Sequence, residues 1–186
     1  MRKKIKDIAV IRSGAYMKEA PDGDVCYLQV NDFCREENRF FLPKPTLGMN
    51  RKTEKHLISE GDIVFAAKGT SNFCIVFHEE MGKAVASSSF LVIKLVDHEI
   101  ITPDYLCWVL NRDDTLAFFK ANAVGSAMPS ISKTMIEGYE INIPPIQEQS
   151  KIVEISRLQQ KEKWLYRQIS GLRHQLTEQK LIKITK

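Results

Sequence analysis

Residues 61–77 read GDIVFAAKGTSNFCIVF, and this stretch decides the fold class. Gly61-Asp62 is a turn signal. Ile63 to Ala67 is an unbroken apolar run, Lys68-Gly69-Thr70-Ser71-Asn72 is a polar loop, and Phe73 to Phe77 is apolar again. Apolar runs this short, bounded by Gly, Asp, Ser and Asn, suit strands and are too brief for helices. Working outward, Ala84 to Ala86 and Phe90 to Val96 give two more strands separated by Ser87-Ser88-Ser89. Val25 to Val30 gives another, closed by Asn31-Asp32. Ile5, Ile8 and Ala9 have helical spacing that Ser13-Gly14 breaks, which predicts a short turn or helix at the start. Arg35 to Arg39 reads as a charged loop, and Pro43 and Pro45 mark an extended, irregular segment. Pro103-Asp104 opens a helix with Tyr105, Leu106, Val109 and Leu110 on one side. A second helical stretch covers Leu116 to Ala121, and Gly125 to Lys133 (GSAMPSISK) is a loop. Met135, Ile136, Tyr139, Ile141 and Ile143 then lead to a rigid Pro144-Pro145 joint.

Beyond that joint the period changes. Ile155, Leu158, Glu162, Leu165, Ile169, Leu172, Leu176 and Gln179 recur in alternating steps of three and four, an a/d heptad seam. Thirty-odd helical residues reach roughly 50 Å at about 1.5 Å each, which predicts a helix that projects and whose seam needs a partner helix. Packing back along its own domain is the alternative. Glu162 at an a position is a flaw in the seam that bears on register or orientation. The expected architecture is α+β: residues 1–145 form one globular domain with a mixed or antiparallel twisted sheet and short helices, and residues 146–186 form a long coiled-coil helix.

Composition excludes several classes. The chain has 186 residues, 44% of them hydrophobic and 27% charged, with a formal net charge of +4; that is ordinary globular composition and only mildly basic. From Lys151 to Lys186 there are nine bases and three acids, so this segment carries +6 and residues 1–150 carry −2. Such a helix face is either simply solvated or placed near phosphates. Cys26, Cys34, Cys74 and Cys107 are scattered without a C-x-x-C pair, and His56, His78, His98 and His174 add no ligand spacing. Reduced thiols and no zinc site are expected, in a cytoplasmic setting. The N-terminal MRKKIKDIAVIRSG has no sustained apolar core and does not read as a secretion signal. No apolar run reaches about eighteen residues, so no membrane span is expected.

An enzyme reading finds little support. There is no G-x-G-x-x-G and no G-x-x-x-x-G-K-[ST] for a cofactor or nucleotide. Asn142-Ile143-Pro144-Pro145 shares only part of an amino-methyltransferase tetrapeptide and lacks its aromatic. Asp104 and Glu178-Gln179-Lys180 are too far apart for a metal-dependent nuclease centre, and Ser87-Ser88-Ser89 lies in no G-x-S-x-G elbow. The polar loops suggest binding instead. Lys68 supplies charge, Gly69 lets a backbone N–H approach a phosphate, and Thr70 and Ser71 add hydroxyls. Gly125, Ser126, Ser130, Ser132 and Lys133 offer hydroxyls, N–H groups and a base around a stiffening Pro129. Gln29, Asn31 and Asp32 end a strand where amides could read adenine edges. Surface turns of the same composition are common, so each loop also has a purely structural reading.

An ordered set of signals carries a resemblance. Leu28-Gln29-Val30-Asn31-Asp32 is followed by Gly61-Asp62-Ile63-Val64-Phe65-Ala66-Ala67-Lys68-Gly69, then Ala86-Ser87-Ser88-Ser89-Phe90 and Pro103-Asp104-Tyr105-Leu106. Gly125 to Lys133 comes next, and Ile143-Pro144-Pro145-Ile146-Gln147-Glu148-Gln149 runs into the heptad helix. The chain resembles the specificity subunit of type I restriction–modification systems over nearly its whole length. The resemblance implies a non-catalytic protein without a cofactor of its own, whose target-recognition domain reads double-stranded DNA through loops in the major groove. It also implies methyltransferase subunits clamped around it and a restriction subunit that joins them. The usual subunit has two recognition domains and two long helices that act as a ruler. This chain has one of each, as a natural half-subunit or a truncated one.

The seam at Ile155, Leu158, Leu165, Ile169, Leu172 and Leu176 then predicts a homodimer and an interrupted palindromic target. The basic helix would face either the methyltransferase or the DNA spacer. Lys68, Gly69, Thr70 and Ser71, then Gly125, Ser126, Ser130, Ser132 and Lys133, and more weakly Ser88 and Ser89, are the candidate DNA-binding residues. The competing readings are a coiled-coil protein-interaction module without DNA specificity and the recognition half of a methyltransferase.

Overall fold

The computed structural model describes residues 1–34, 39–41, 43–125 and 129–184. Its strands are β1 (Arg2–Lys4), β2 (Ala9–Ser13), β3 (Cys26–Leu28), β4 (Phe33–Cys34) and β5 (Arg39–Phe40), followed by helix α1 (Arg51–His56). Next come β6 (Ile63–Ala66), β7 (Cys74–Val76), β8 (Ala84–Ala86) and β9 (Phe90–Leu95). Helices α2 (Pro103–Leu110), α3 (Asp113–Ala121) and α4 (Lys133–Gly138) precede β10 (Glu140–Asn142), and α5 (Ile146–Ile184) closes the chain. The class is α+β, as expected.

The central sheet has the order β2-β9-β6-β7 and is antiparallel throughout. A separate parallel pair, β3 with β8, sets Leu28 beside Ala86. The apolar run at β6 has a simple cause: both of its faces are covered. Ile63 and Phe65 enter one core with α2, α3 and α4, while Val64 and Ala66 enter a second core with Phe40, Phe73 and Phe90. β9 divides in the same way, sending Leu91, Ile93 and Leu95 to the first core and Phe90 and Val92 to the second. Side chains alternate along a strand, so a two-sided strand must be apolar at successive positions.

Two local expectations are corrected, and one helix carried no signal. Residues Ile5–Asp7 form only one 3-10 turn, and Ala9–Ser13 is a strand paired along its whole length with β9. Ala9 and Ile11 point into the core while Val10 is exposed, a period of two that the helical spacing of Ile5, Ile8 and Ala9 conceals. The strand expected over 25–30 ends at Leu28, because Val30–Asp32 curls into a 3-10 turn on the Asp32 carboxylate. Helix α1, unmarked by apolar periodicity, is started by Asn50, whose side chain accepts from the N–H groups of Lys52 and Thr53. The Arg35–Arg39 loop falls largely outside the described residues.

The base of α5 is locked to the domain. Gln149 is fully buried: its amide oxygen accepts from the Thr102 N–H (3.0 Å), and its amide nitrogen donates to the carbonyls of Ile100 and Pro144 (2.8 Å each). Val153 is buried against α2, and Arg157 pairs with Asp104 at 2.6 Å. From Arg157 to Ile184 every residue is exposed. The helix therefore does not fold back on its domain. At about 1.5 Å per residue its 39 residues span roughly 58 Å.

Candidate nucleic-acid interface

The loops singled out above lie far apart in the chain, and the fold stitches three of them together by backbone. β6 ends at Ala66, and the next two N–H groups, of Ala67 and Lys68, both donate to the Ser89 carbonyl (2.9 and 3.3 Å). The Gly69 N–H donates to the Pro129 carbonyl at 2.9 Å, and the Ile131 N–H donates to the Ala67 carbonyl at 2.9 Å. Lys68 bridges Ser130, which in turn bridges Val124. Residues 67–69, 89 and 129–131 thus share one edge. The Gln29–Asp32 turn joins them indirectly, since the Ser87 N–H donates to the Leu28 carbonyl at 3.0 Å.

Local chemistry explains why these loops hold their shape. Gly69 has φ +89°, a left-handed conformation that costs other residues strain, and open space surrounds it. Asn72 is buried, and its amide nitrogen donates to the Ala66 carbonyl at 2.9 Å, closing the Lys68–Asn72 loop on the end of β6. Beneath lies an aromatic floor: Phe33 stacks on Phe73 at 3.7 Å, and Phe40 and Phe90 meet Phe73 edge-on at 6.2 Å each. Packing of this kind keeps the polar tips in place at little ordering cost on binding.

Each candidate side chain has a definite place. Lys68, Thr70, Ser71 and Ser88 are exposed; Ser89 and Ser130 are half-buried and contribute chiefly backbone to the stitching. Gly125 is exposed with φ +107° beside Val124. Ser126 lies outside the described residues. Ser132 and Lys133 have structural work: the Ser132 hydroxyl caps α4 by accepting from the Met135 N–H at 3.2 Å, and Lys133 pairs with Glu137 at 3.4 Å. Both remain exposed. Gln29 is committed in part to Glu19 at 3.1 Å, and burial pushes the Asp32 carboxyl up against the lowering effect of the Gln29 N–H. Lys68 is therefore the base of the 67–72 loop, and the edge as a whole is polar more than strongly charged.

Two contributors carried no obvious sequence signal. A Cβ at Gly14 would stand 2.1 Å from the Ser87 carbonyl oxygen, so only glycine lets the end of β2 pass the serine turn, where the Gly14 N–H donates to Phe90 (2.9 Å). Asn72 looks like any loop asparagine until its burial is seen. Among the described residues no group of three or more His, Cys, Asp or Glu could hold a metal ion, and no helix is long and apolar enough to cross a membrane.

The seam on α5 is bare on this chain. Ile155, Leu158, Leu165, Ile169, Leu172 and Leu176 are exposed by 43–64%, an unusual amount of aliphatic surface for one helix face.

Comparison with known proteins agrees with this architecture. A specificity subunit of the type I restriction enzyme HindI from Haemophilus influenzae is 28% identical over 104 residues, which cover 54% of this chain and 22% of that protein. The type I restriction–modification S subunit from M. genitalium shares the fold at a TM-score of 0.59 and 14% identity, over 85% of this chain and 38% of that one. A chain from a structural study of complex assembly and conformational transition in the type I R-M system superposes at 0.62 with 15% identity, over 96% of this chain and 43% of that one. This chain thus spans less than half the length of each of these relatives. Residues 1–165 match the family described as the type I restriction modification DNA specificity domain, and the chain belongs to that family.

Proposed function

We propose that this chain is a non-catalytic DNA-recognition component that directs methyltransferase and restriction subunits of a type I system to their site. Residues 1–145 act as the target-recognition domain and residues 146–186 as the helix that spaces it from a second one. One observation carries the reading: residues 67–69, at the root of the loop that exposes Lys68, Thr70 and Ser71, are stitched through Ser89 and Pro129–Ser130 into a single pre-shaped polar edge. A rigid edge of hydroxyls and a lysine can meet phosphate oxygens and base edges together; the Gly69 N–H, expected to approach a phosphate, is instead spent on the Pro129 carbonyl.

Two copies join through Ile155, Leu158, Leu165, Ile169, Leu172 and Leu176, whose exposure in one chain calls for a partner helix. A two-fold pair of recognition domains would read an interrupted palindrome. The test is to purify the chain with a methyltransferase subunit of its own system and select from a random duplex pool. Co-elution with enrichment of a split palindrome is the expected result. Loss of retained DNA with rising salt should be steep, as phosphate contacts require. Co-elution without sequence enrichment would refute autonomous recognition. Neither DNA retention nor co-elution would leave a coiled-coil interaction module.

A further inference from the structure

Cys74 and Cys107 are not adjacent in sequence, yet their sulfurs lie 3.3 Å apart where α2 crosses β7. The contact is held from several sides. The Cys74 thiol also reaches the Cys107 carbonyl (3.2 Å), and the Cys107 thiol reaches the Cys74 carbonyl (3.3 Å). Asn111 clamps the backbone of Cys74, accepting from its N–H at 2.8 Å and donating to its carbonyl at 2.7 Å, and its amide also meets the Cys107 sulfur at 3.5 Å. The two residues differ in burial. Cys74 is buried, whereas Cys107 lines a cavity of 170 Å³ together with Trp108, Arg112, Asp104 and Arg157. That volume admits a molecule the size of a small peroxide, since a water occupies about 30 Å³.

We propose that Cys74 and Cys107 form a redox-active dithiol that a hydroperoxide converts to an intramolecular disulfide. The Cys107 sulfur, giving up its proton, attacks the outer peroxide oxygen; the S–O bond forms, the O–O bond breaks, and the departing alkoxide or hydroxide takes the proton from Cys107 and leaves as an alcohol or water. The Cys74 sulfur then attacks the Cys107 sulfenic acid. An S–S bond forms, the S–O bond breaks, and hydroxide leaves as water with the Cys74 proton. In sum, two thiols are oxidised and one hydroperoxide is reduced. Burial holds the Cys74 thiol protonated, with its pKa above the usual range, so it does not meet the peroxide first; its place 3.3 Å from the Cys107 sulfur is what lets it resolve the sulfenic acid. The bridge would tie the sheet to α2, the helix that carries the base of α5 through Asp104 and Val153.

The folded chain is treated with hydrogen peroxide, the reaction is quenched by alkylation, and peptides are mapped without reduction. The expected product is a Cys74–Cys107 cross-link with the loss of two hydrogens, reversed by a thiol reductant. Its melting temperature should rise by about 5–10 °C and fall back on reduction. Cys107→Ser should abolish the cross-link. Should that variant fail to fold, the C26S/C34S double variant, which leaves the pair intact, should still form it. Peroxide modification that stops at a Cys107 sulfenic or sulfinic acid, that falls first on Cys26 or Cys34, or that requires unfolding would overturn the proposal.

Discussion

Replacing Gln149 by alanine should loosen the anchor of the long helix by a predictable amount. The side chain is fully buried and makes three good hydrogen bonds: to the Thr102 N–H at 3.0 Å and to the Ile100 and Pro144 carbonyls at 2.8 Å. Alanine leaves one donor and two acceptors without a protein partner. A buried polar group stripped of its partner costs about 1–3 kcal/mol. Ile100, Thr102 and Pro144 are each half-exposed, so water can reach them in part and the low end applies. Three groups then give a loss of about 3 kcal/mol. For a chain of this length that is a fall in Tm of roughly 6–12 °C. Gln149→Glu should lose at least as much, because a carboxylate can donate to neither carbonyl. The exposed neighbour supplies the control: Gln147→Ala should stay within about 0.5 kcal/mol. Thermal unfolding followed by circular dichroism decides the matter. A Gln149→Ala protein that melts cooperatively within 2 °C (roughly 1 kcal/mol or less) of the parent would show that the anchor lies elsewhere, in Val153 and the Arg157–Asp104 pair.

Other expectations follow from the same geometry. Lys68→Ala should weaken retention of duplex DNA of any sequence and reduce the salt slope by about one, measured by fluorescence anisotropy across a salt series; an unchanged slope would remove Lys68 from the phosphate contacts. Ile169→Asp, at a seam position that is 45% exposed in one chain, should convert a dimer to a monomer in analytical ultracentrifugation while leaving the Tm of the globular part nearly unchanged. The pH dependence rests on His56. Burial first, then Arg12, Lys55 and Lys52, lowers its pKa below 6.5 in the fold. The unfolded chain therefore binds more protons in that range, and stability should fall as pH drops below about 6.5. His56→Gln should flatten that part of a denaturation-against-pH profile, and an unchanged profile would place the acid sensitivity in other groups.

Legibility in the sequence depended on whether a feature repeats along the chain. The apolar runs at Ile63–Ala67 and Phe90–Ile93 announced strands because each faces two cores at once, and burial on both faces leaves no polar position within them to confuse the reading. The edge strand Ala9–Ser13 was hidden for the opposite reason. One of its faces is solvated, its alternation is brief, and the preceding Ile5 and Ile8 happen to fall at helical spacing. Among the candidate binding residues, composition singled out Ser132 and Lys133 as readily as Lys68. A serine that caps a helix and a lysine paired four residues on have the same composition as a serine and lysine that await a ligand.

By itself the sequence determined the α+β class, the succession of loops that marks the family, and a long helix with an apolar seam. These are local or periodic properties, written in neighbouring residues at spacings of two, three and four. Only the tertiary structure decided that Lys68, Ser89 and Ser130 share one edge, that Gly14 must be glycine, that Gln149 anchors the helix, and that Cys74 touches Cys107. Each of those depends on contacts between segments separated by tens of residues. Such contacts are set by how the sheet and its covering helices pack, and packing leaves no period in the chain for a reader to find.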